Sequence, residues 1–375
     1  MFFCIKRELK GLWQDPWLRA LVTFIPIICG LILWWLFSAG LARELPVAVV
    51  NNDHSQVSRI LERRLDANAG ISLISYQNVA AAKKAISAGH VYAIVNFPID
   101  FKKDLLLGQQ PTVDIRYNSQ FLLVGKLLSS QIQLSLADGL AELGELKQWL
   151  KGIPKQQAQI NIRPLNNQIT PLYNLSNNYL VFLLAPMLIA LGQIVAMLVF
   201  ANALGREIRL NTLDDCYQLG IWRVIGAKFI VYMSALLLQS IVVVSFLYGY
   251  LSLPFAGSFA QLLVGLTLML TAVFMIVLLL FFKLQDPTRI VSFGTALFAP
   301  ALAFMGVTFP ALDMPFFARF WRMIMPSSHY IDTHMGVVSY SQNWAALFTQ
   351  LTSYWGYLLL IPLIYMSAKK SGAKA

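Results

Sequence analysis

Residues Tyr179–Gly205, YLVFLLAPMLIALGQIVAMLVFANALG, form a run of 27 positions without Asp, Glu, Lys or Arg. A helix needs about 20 apolar residues to cross the roughly 30 Å hydrocarbon core of a bilayer, so this run is long enough to span it. Further uncharged runs of at least 23 residues are Ala20–Ala42, Phe229–Leu251, Ser258–Phe282, Ile290–Leu312 and Trp344–Ala368. We therefore predict an α-helical polytopic membrane protein with six transmembrane helices.

The composition of the 375-residue chain supports this prediction. Apolar residues make up 57% and charged residues 13%, whereas an ordinary soluble domain is about 25% charged. A soluble enzyme and a disordered chain are therefore excluded. The uncharged run at 20–42 is longer than the apolar core of a signal peptide, which has about 7–15 residues, so we expect it to be retained as the first span.

The net charge of +11 indicates orientation in the membrane rather than nucleic-acid binding. With the N-terminus in the cytoplasm, four cytoplasmic segments carry 13 Lys and Arg residues, whereas the two short outer loops carry 2, Arg319 and Arg322. Cytoplasmic loops of membrane proteins carry such an excess, and long segments are not counted. We expect both termini in the cytoplasm, including a tail at 369–375, and the long segment 43–178 outside.

The segment 43–178 is long enough for a folded domain. Strand-like runs alternate in it with helix-like runs, and they are Val47–Val50, Ile71–Ser75, Tyr92–Asn96 and Val113–Tyr117. A helical pattern covers 121–150, and Gln159–Pro164 is predicted to be a last strand. The alternation predicts an α/β extracytoplasmic domain between the first and second spans, followed by five spans in the region 179–368.

The first 19 residues are predicted to form an amphipathic interfacial helix. Phe2, Ile5 and Leu9 follow helical spacing, which places their apolar side chains in the membrane interface. The cations Lys6, Arg7 and Lys10 lie on other faces, where we expect them to approach acidic lipid. The alternative is a plain charged tail.

The energy source is not evident within the spans. They hold no ionisable residue, which an ion-coupled transporter needs at membrane depth. A phosphate-binding loop is also missing, because the position five residues before Gly125-Lys126 is Gln120 rather than glycine. If the chain transports, we expect the energy to come from an ATPase on another chain.

We predict no catalytic residue and no metal site. His329, Asp332 and His334 share only part of one helical face and have no evident fourth ligand, so a polar turn at the membrane rim is the preferred interpretation. Cys4, Cys29 and Cys216 are not paired at ligand spacing.

The segment 206–228 is the longer of two cytoplasmic loops that could receive energy from an ATPase. Thr212, followed by Asp215 three residues later, matches a capping box and predicts a short helix over Leu213–Trp222. The alternative is an ordinary interfacial loop helix without a coupling role.

The layout resembles the membrane subunit of an ABC exporter of the second type, a permease family that works with separate nucleotide-binding subunits. Arg206, Glu207, Thr212 and Leu213 match that family's coupling segment, although Asn211 replaces its glycine. The outer motif of the family is matched by Gly306, Phe309, Pro310, Met314, Pro315, Pro326 and Tyr330. The turn Asn52-Asp53-His54-Ser55 after the first strand resembles the large-extracytoplasmic-domain branch, which is bacterial.

The resemblance implies a function. Two permease copies, or this chain and a paralogue, would form an export pathway for amphipathic, drug-like or lipid-like substrates in a bacterial inner membrane. Two ATPase subunits would bind ATP and magnesium, this chain would bind no cofactor, and a periplasmic adaptor is a further candidate partner. Docking of the ATPase is expected at Arg206, Glu207, Thr212, Leu213 and Asp215.

The residues 313–335 are predicted to form re-entrant helices that roof the pathway. An aromatic stripe at Phe316, Phe317 and Phe320 would pack over it, leaving Arg319 and Arg322 off the stripe. The expected gate residues are Phe309, Pro310, Met314, Pro315, Phe320, Trp321, Pro326 and Tyr330. The alternative is a hairpin that only anchors in the interface.

Two other classes of function were weighed from the sequence. A sensor or receptor would use the outer domain to bind a ligand, but no inner segment is long enough for an output domain. A membrane-embedded enzyme would rely on Asp313, Asp332 and the two histidines near the outer rim, which is thin support.

Overall fold

The computed structural model of the protein describes residues 1–40, 43–107, 109–162, 172–174 and 178–372. The chain divides into two compact units. We call Leu41–Thr170 the sheet unit, and Met1–Gly40 with Pro171–Ala375 the membrane unit.

The membrane unit begins with three consecutive helices, α1 (Phe2–Gln14), α2 (Pro16–Val22) and α3 (Phe24–Phe37). Asp15 separates the first two, because its side chain accepts hydrogen bonds from the backbone N–H groups of Trp17 and Leu18 at the start of α2. The first span therefore begins at Pro16, earlier than the uncharged run predicts.

The sheet unit contains a four-stranded sheet with the order β2-β1-β3-β4. The strands are β1 (Leu45–Asn51), β2 (Ile71–Ser75), β3 (Ala93–Phe97) and β4 (Asp114–Tyr117). β1 is parallel to β2 and β3, whereas β4 is antiparallel to β3. Five helices accompany the strands: α4 (Gln56–Asp66), α5 (Val79–Ser87), α6 (Phe101–Leu106), α7 (Leu122–Leu150) and α8 (Lys155–Ile162).

The central strand β1 is covered on both faces, which explains why its sequence is continuously apolar. Val47 and Val49 pack in one core with Leu61 of α4 and Leu128 of α7. The alternate residues Ala48 and Val50 pack in a second core with Ala82 and Ala85 of α5. The α/β prediction is therefore confirmed for this unit.

One predicted strand is wrong. Gln159–Ile162 lies in the helix α8, and positions 163–164 lie outside the described residues. Ala158 of α8 is fully buried, and Ile162 approaches Gly144 of α7. Packing of this short helix along α7 outweighs the weak alternation that suggested a strand.

Within the described residues, six helices are long and apolar enough to cross a membrane. We number these spans in chain order: Pro16–Phe37, Tyr179–Arg209, Ile221–Tyr250, Phe259–Leu284, Pro287–Phe304 and Trp344–Ser371. The prediction of a six-span helical membrane protein is thus confirmed. The second and fourth spans form the centre of the unit, with 61% of their most apolar windows buried, whereas the first span has 11%.

The rest of the membrane unit contains long helices that build the spans and short helices that lie between them. They are α9 (Tyr179–Arg209), α10 (Leu213–Gln218), α11 (Ile221–Ser245), α12 (Phe259–Leu284), α13 (Pro287–Phe298), α14 (Ala301–Phe304), α15 (Phe316–Ile324), α16 (Pro326–Val338), α17 (Trp344–Leu351) and α18 (Leu360–Gly372). A π-helical turn, Phe246–Tyr250, continues α11. The fifth span ends at Phe304, well before Leu312, because the chain bends at Gly306, which has a positive φ of 90°.

Candidate coupling site and outer rim

A cluster of charged side chains is buried between α1, α9 and α11. Its members, which we call the inner charge cluster, are Arg7, Glu8, Arg206, Glu207 and Lys228. The side chains of Glu8, Glu207 and Lys228 are at most 5% exposed. This cluster joins the N-terminal helix to the ends of the second and third spans.

The two carboxylates of the cluster share their cations. Lys228 Nζ lies 2.9 Å from Glu8 Oε2 and 2.7 Å from Glu207 Oε1. Arg7 Nη2 likewise lies 2.9 Å from an oxygen of each carboxylate. Arg206 Nη2 donates to Glu8 at 2.8 Å. Each buried carboxylate therefore faces more than one cation, which is the condition under which charges are tolerated away from water.

Neutral groups complete the cluster. Lys228 Nζ donates to the carbonyl oxygen of Ala203 at 2.8 Å, and the hydroxyl of Tyr232 donates to Glu8. Gly11 lets the Arg206 guanidinium lie against α1, because a Cβ at that position would fall 1.9 Å from Arg206 Nη1. Burial opposes the charge of Arg7, but the carboxylates of Glu207 and Glu8 outweigh it and raise the pKa of Arg7.

The loop helix α10 is attached to the same cluster. The Thr212 hydroxyl donates to Glu207 Oε2 at 2.5 Å, and Cys216 Sγ approaches the same oxygen at 3.2 Å. Burial and the adjacent Glu207 carboxylate raise the pKa of the Cys216 thiol to about 11. A displacement of α10 must therefore disturb Glu207, and through it α1 and α11.

Two expectations for this loop are corrected. The Thr212 side chain does not cap the helix, because it is engaged by Glu207 instead. The helix ends at Gln218 rather than at Trp222, because Gly220 adopts a positive φ of 87° and a new helix begins at Ile221.

The exposure of the predicted coupling residues also differs from expectation. Arg206 and Glu207 are buried in the inner charge cluster, and Leu213 packs at the edge of the membrane-unit core. Asp215 is exposed, together with its neighbour Asp214. The acidic surface of α10 is thus the accessible part of the loop.

The N-terminal helix is oriented differently from the prediction. Arg7 is turned toward Glu207 rather than toward lipid, and Glu8 is completely buried. The outward face instead carries Phe2, Phe3 and Trp13, which are more than 60% exposed. An amphipathic helix with an aromatic outer face is suited to the membrane interface.

At the opposite end of the spans, Arg322 ties two short helices to the end of the fifth span. Its Nη2 lies 2.7 and 2.6 Å from the two carboxylate oxygens of Asp332 in α16. Its Nη1 donates to the carbonyl oxygens of Phe304 and Met305. A Cβ at Gly306 would fall 2.9 Å from that nitrogen, so glycine is needed there for the approach.

The predicted gate residues divide between the surface and the core. Phe309, Pro310, Pro315 and Phe320 are exposed, Trp321 is half-buried, and Met314, Pro326 and Tyr330 are buried. The Trp321 indole donates to the Leu297 carbonyl oxygen at 3.3 Å. The aromatic stripe expected to roof the pathway instead faces outward from the membrane unit, with Phe316 81% and Phe320 49% exposed.

The two histidines of α16 have separate environments. His329 Nε2 lies 3.0 Å from the carbonyl oxygen of Met323, whereas His334 Nε2 lies 2.6 Å from the Tyr248 hydroxyl. Burial lowers the pKa of His334 to about 4. His334 is therefore a neutral imidazole at neutral pH.

A family model described as "ABC-2 family transporter protein" matches residues 16–368, which include the first five spans and all but the last three residues of the sixth. The chain belongs to the ABC-2 transporter family. A similar curated protein is ABC transporter G family member 20 of Dictyostelium discoideum, with 21% identity over 360 residues. The match covers 92% of this chain and 47% of that relative, so the chain spans about half the length of the curated relative.

The chain is thus a multi-pass membrane protein of the ABC-2 transporter family. The sequence analysis did not predict Glu8 and Lys228 as site residues, although both belong to the inner charge cluster of this ABC-2 family member. A lone acid within a basic N-terminal helix and a lysine directly before the third uncharged run were the available signals. Neither signal indicates which distant charged residue the side chain contacts.

Proposed function

We propose that this chain is the permease subunit of an ATP-driven exporter, with ATP and magnesium bound by ATPase subunits on another chain. The observation that carries the proposal is the attachment of α10 to the inner charge cluster in a member of the ABC-2 family. The sequence contains no phosphate-binding loop of its own, which supports a separate ATPase. Family membership favours transport over the sensor alternative.

The proposed docking surface is the exposed side of α10. Asp214 and Asp215 are accessible there, whereas Cys216 on the opposite side is fully buried. An ATPase that moves α10 would pull on Glu207 through the side chain of Thr212. Because Glu207 shares Arg7 and Lys228 with Glu8, the movement would pass to α1 and to the third span.

The proposed substrates are amphipathic, drug-like or lipid-like molecules. Uncharged spans favour molecules that enter partly from the bilayer, since a buried charge would have no counter-charge there. The proposed setting is a bacterial inner membrane, with both termini in the cytoplasm and the sheet unit outside. There the sheet unit would guide release or bind a periplasmic adaptor, and the pathway would be completed by a second copy or a paralogue.

The experiment separates docking from folding. The double variant Asp214→Lys/Asp215→Lys is expected to keep its melting temperature but to lose at least tenfold in ATPase recruitment and transport. The variant Glu207→Lys is expected to lower the folded yield, because it places a fourth cation beside Arg7, Arg206 and Lys228 and removes one of the two carboxylates of the cluster. The control is Asp286→Lys, which reverses a half-exposed acid in the other loop predicted to be cytoplasmic. Because the Asp286 side chain also accepts hydrogen bonds from the backbone N–H groups of Thr288 and Arg289, the melting temperature of this variant is measured as well.

Two results would contradict the exposed side of α10 as the docking surface. Normal recruitment and wild-type transport by the α10 double variant would mean that the exposed acids do not dock the ATPase. Loss of recruitment in Asp286→Lys alone would move the docking surface to the shorter loop.

A further inference from the structure

Two adjoining cavities lie within the outer half of the membrane unit. The larger, about 390 Å³, is bordered by the start of the second span, the end of the third span and α16. The smaller, about 70 Å³, extends deeper between the second, third and fourth spans. Ala185 and His334 line both, so we treat them as one outer cavity.

Irregular backbone from three elements converges on the outer cavity. Pro186 interrupts α9, so the carbonyl oxygen of Phe182 lacks its usual helical donor. Tyr248 lies in the π-helical turn that ends the third span, and Gly306 holds the positive φ after the fifth. All four residues line the larger cavity. Irregular backbone at membrane depth is tolerated where it is shielded by protein or lines a cavity, and π-helical turns are frequent at functional sites.

The lining of the outer cavity is uncharged. Among the residues that the structure describes, no Asp, Glu, Lys or Arg borders either part. A charged ligand group would therefore lose its hydration without gaining an ion pair, at a cost of several kcal/mol. The shape and size suit a hydrocarbon, since ligand cavities typically measure about 300–1,000 Å³.

A few polar groups interrupt the apolar walls. His334 Nε2 is bonded to the Tyr248 hydroxyl, while its Nδ1 makes no hydrogen bond to a described residue. Deeper in the cavity, the amide nitrogen of Gln239 also lacks a partner among the described residues. A hydroxyl group both donates and accepts, so it can bond to the imidazole in either tautomer.

We propose that the outer cavity binds an uncharged amphiphile of the long-chain alcohol class, with its hydroxyl group at the Tyr248–His334 pair and its hydrocarbon along the apolar walls. The inference deepens the proposed function and rests on it, because the site would hold the exporter's substrate within one subunit. Binding is measured on the permease alone, without ATPase or ATP, so its outcome is independent of transport.

The test uses photolabelling. The permease in detergent micelles is irradiated with a diazirine-bearing hexadecanol or with the matching diazirine-bearing hexadecane, and labelled residues are located by mass spectrometry. We expect the alcohol to label cavity residues such as Ile331 and Val338, which are not exposed on the outer surface, and unlabelled hexadecanol to compete. The hexadecane probe should label the same residues more weakly and without dependence on His334.

Single-residue variants test the hydrogen bond to the Tyr248–His334 pair separately, with the extent of labelling as the measurement. His334→Phe keeps a ring of similar size but removes the hydrogen bond, so labelling by the alcohol should fall about tenfold, the effect of one hydrogen bond. His329→Phe on the same helix lies outside the cavity lining and should label like the wild type. If His334→Phe does not fold, Tyr248→Phe tests the same pair and should also reduce labelling.

Three results would overturn the inference: wild-type labelling in a folded His334→Phe or Tyr248→Phe protein, no competition by hexadecanol, or labelling confined to lipid-facing residues. Labelling as expected, combined with no ATP-driven export by the assembled complex, would leave the site in place and remove the proposed export function. Export without cavity labelling would do the reverse.

Discussion

At the scale of single residues, Lys228 is the centre of the inner charge cluster. It is 2% exposed and contacts both Glu8 and Glu207. Removing one partner of a buried ion pair leaves an uncompensated charge, which typically costs about 3–5 kcal/mol. After Lys228→Met, Glu8 keeps Arg7 and Arg206, and Glu207 keeps Arg7. The carboxylates therefore stay partly compensated, and we expect a cost at the lower end of this range.

We therefore expect Lys228→Met to lower the free energy of unfolding by about 3 kcal/mol, measured by denaturant unfolding of the purified permease. Lys283→Met, which removes an exposed lysine at the end of the fourth span, is the matched control and should change stability by less than about 1 kcal/mol. Equal stability of the two lysine variants would contradict the assignment of Lys228 to a structural ion cluster.

At the scale of helices and strands, the spans were the most predictable elements. Length and the absence of charge are sufficient to locate a transmembrane helix, and all six were found. Their ends were less predictable, because Asp15 starts a helix and Gly220 and Gly306 end regular structure through local backbone geometry. A hydropathy profile does not detect these local changes in backbone conformation.

The candidate site was predictable only in part, for a different reason. Glu8 and Lys228 are 220 positions apart in the chain, and sequence spacing carries no information about which distant charges meet. The aromatic stripe of α15 illustrates a second limit. Spacing identifies Phe316 and Phe320 as one face, but not whether that face turns toward the protein or away from it. Their exposure supports the alternative that this hairpin anchors in the interface.

The fifth span has a face that suggests how a second copy could pack. Its buried side carries Ile290, Gly294 and Phe298. One line along its exposed side consists of small residues, Ser292, Ala296, Ala299 and Ala303, and the exposed Phe293 lies beside this line. Small residues allow close approach of transmembrane helices.

From this face we predict that Ala299→Cys, in a chain whose native cysteines are replaced by alanine, forms a disulfide-linked dimer in oxidised membranes. Leu358→Cys on the sixth span, which is also exposed, is the control and should remain monomeric. The readout is the mobility on a non-reducing gel. Equal cross-linking of both variants would indicate random collision, and no cross-linking of Ala299→Cys would favour a paralogue or another span as the contact.

At the scale of the whole molecule, the chain combines a six-span membrane unit with an α/β sheet unit inserted after the first span. The inserted unit has its own apolar cores on both faces of β1, so its fold does not depend on burial in lipid. From the distribution of basic residues we predict that the segment between the first two spans and the loop that contains α10 are on opposite sides of the membrane. The orientation is the premise on which both the docking and the adaptor proposals depend.

The orientation is testable with two exposed positions. We predict that Ser87→Cys in the sheet unit reacts with a membrane-impermeant thiol reagent in intact cells, whereas Gln218→Cys in α10 reacts only after permeabilisation. Both side chains are exposed, so a difference in labelling reports the side of the membrane rather than burial. Cys4 and Cys216 give little background, because both are buried and the raised pKa of Cys216 leaves few thiolates at pH 7. Cys29, which is partly exposed, is replaced by alanine in both variants. The physical reason for the expected result is the distribution of basic residues, of which 13 lie in the segments predicted to be cytoplasmic and 2 in the short outer loops.

Labelling of Gln218→Cys alone in intact cells would invert the topology and place the sheet unit in the cytoplasm, where it could not guide release from an exporter.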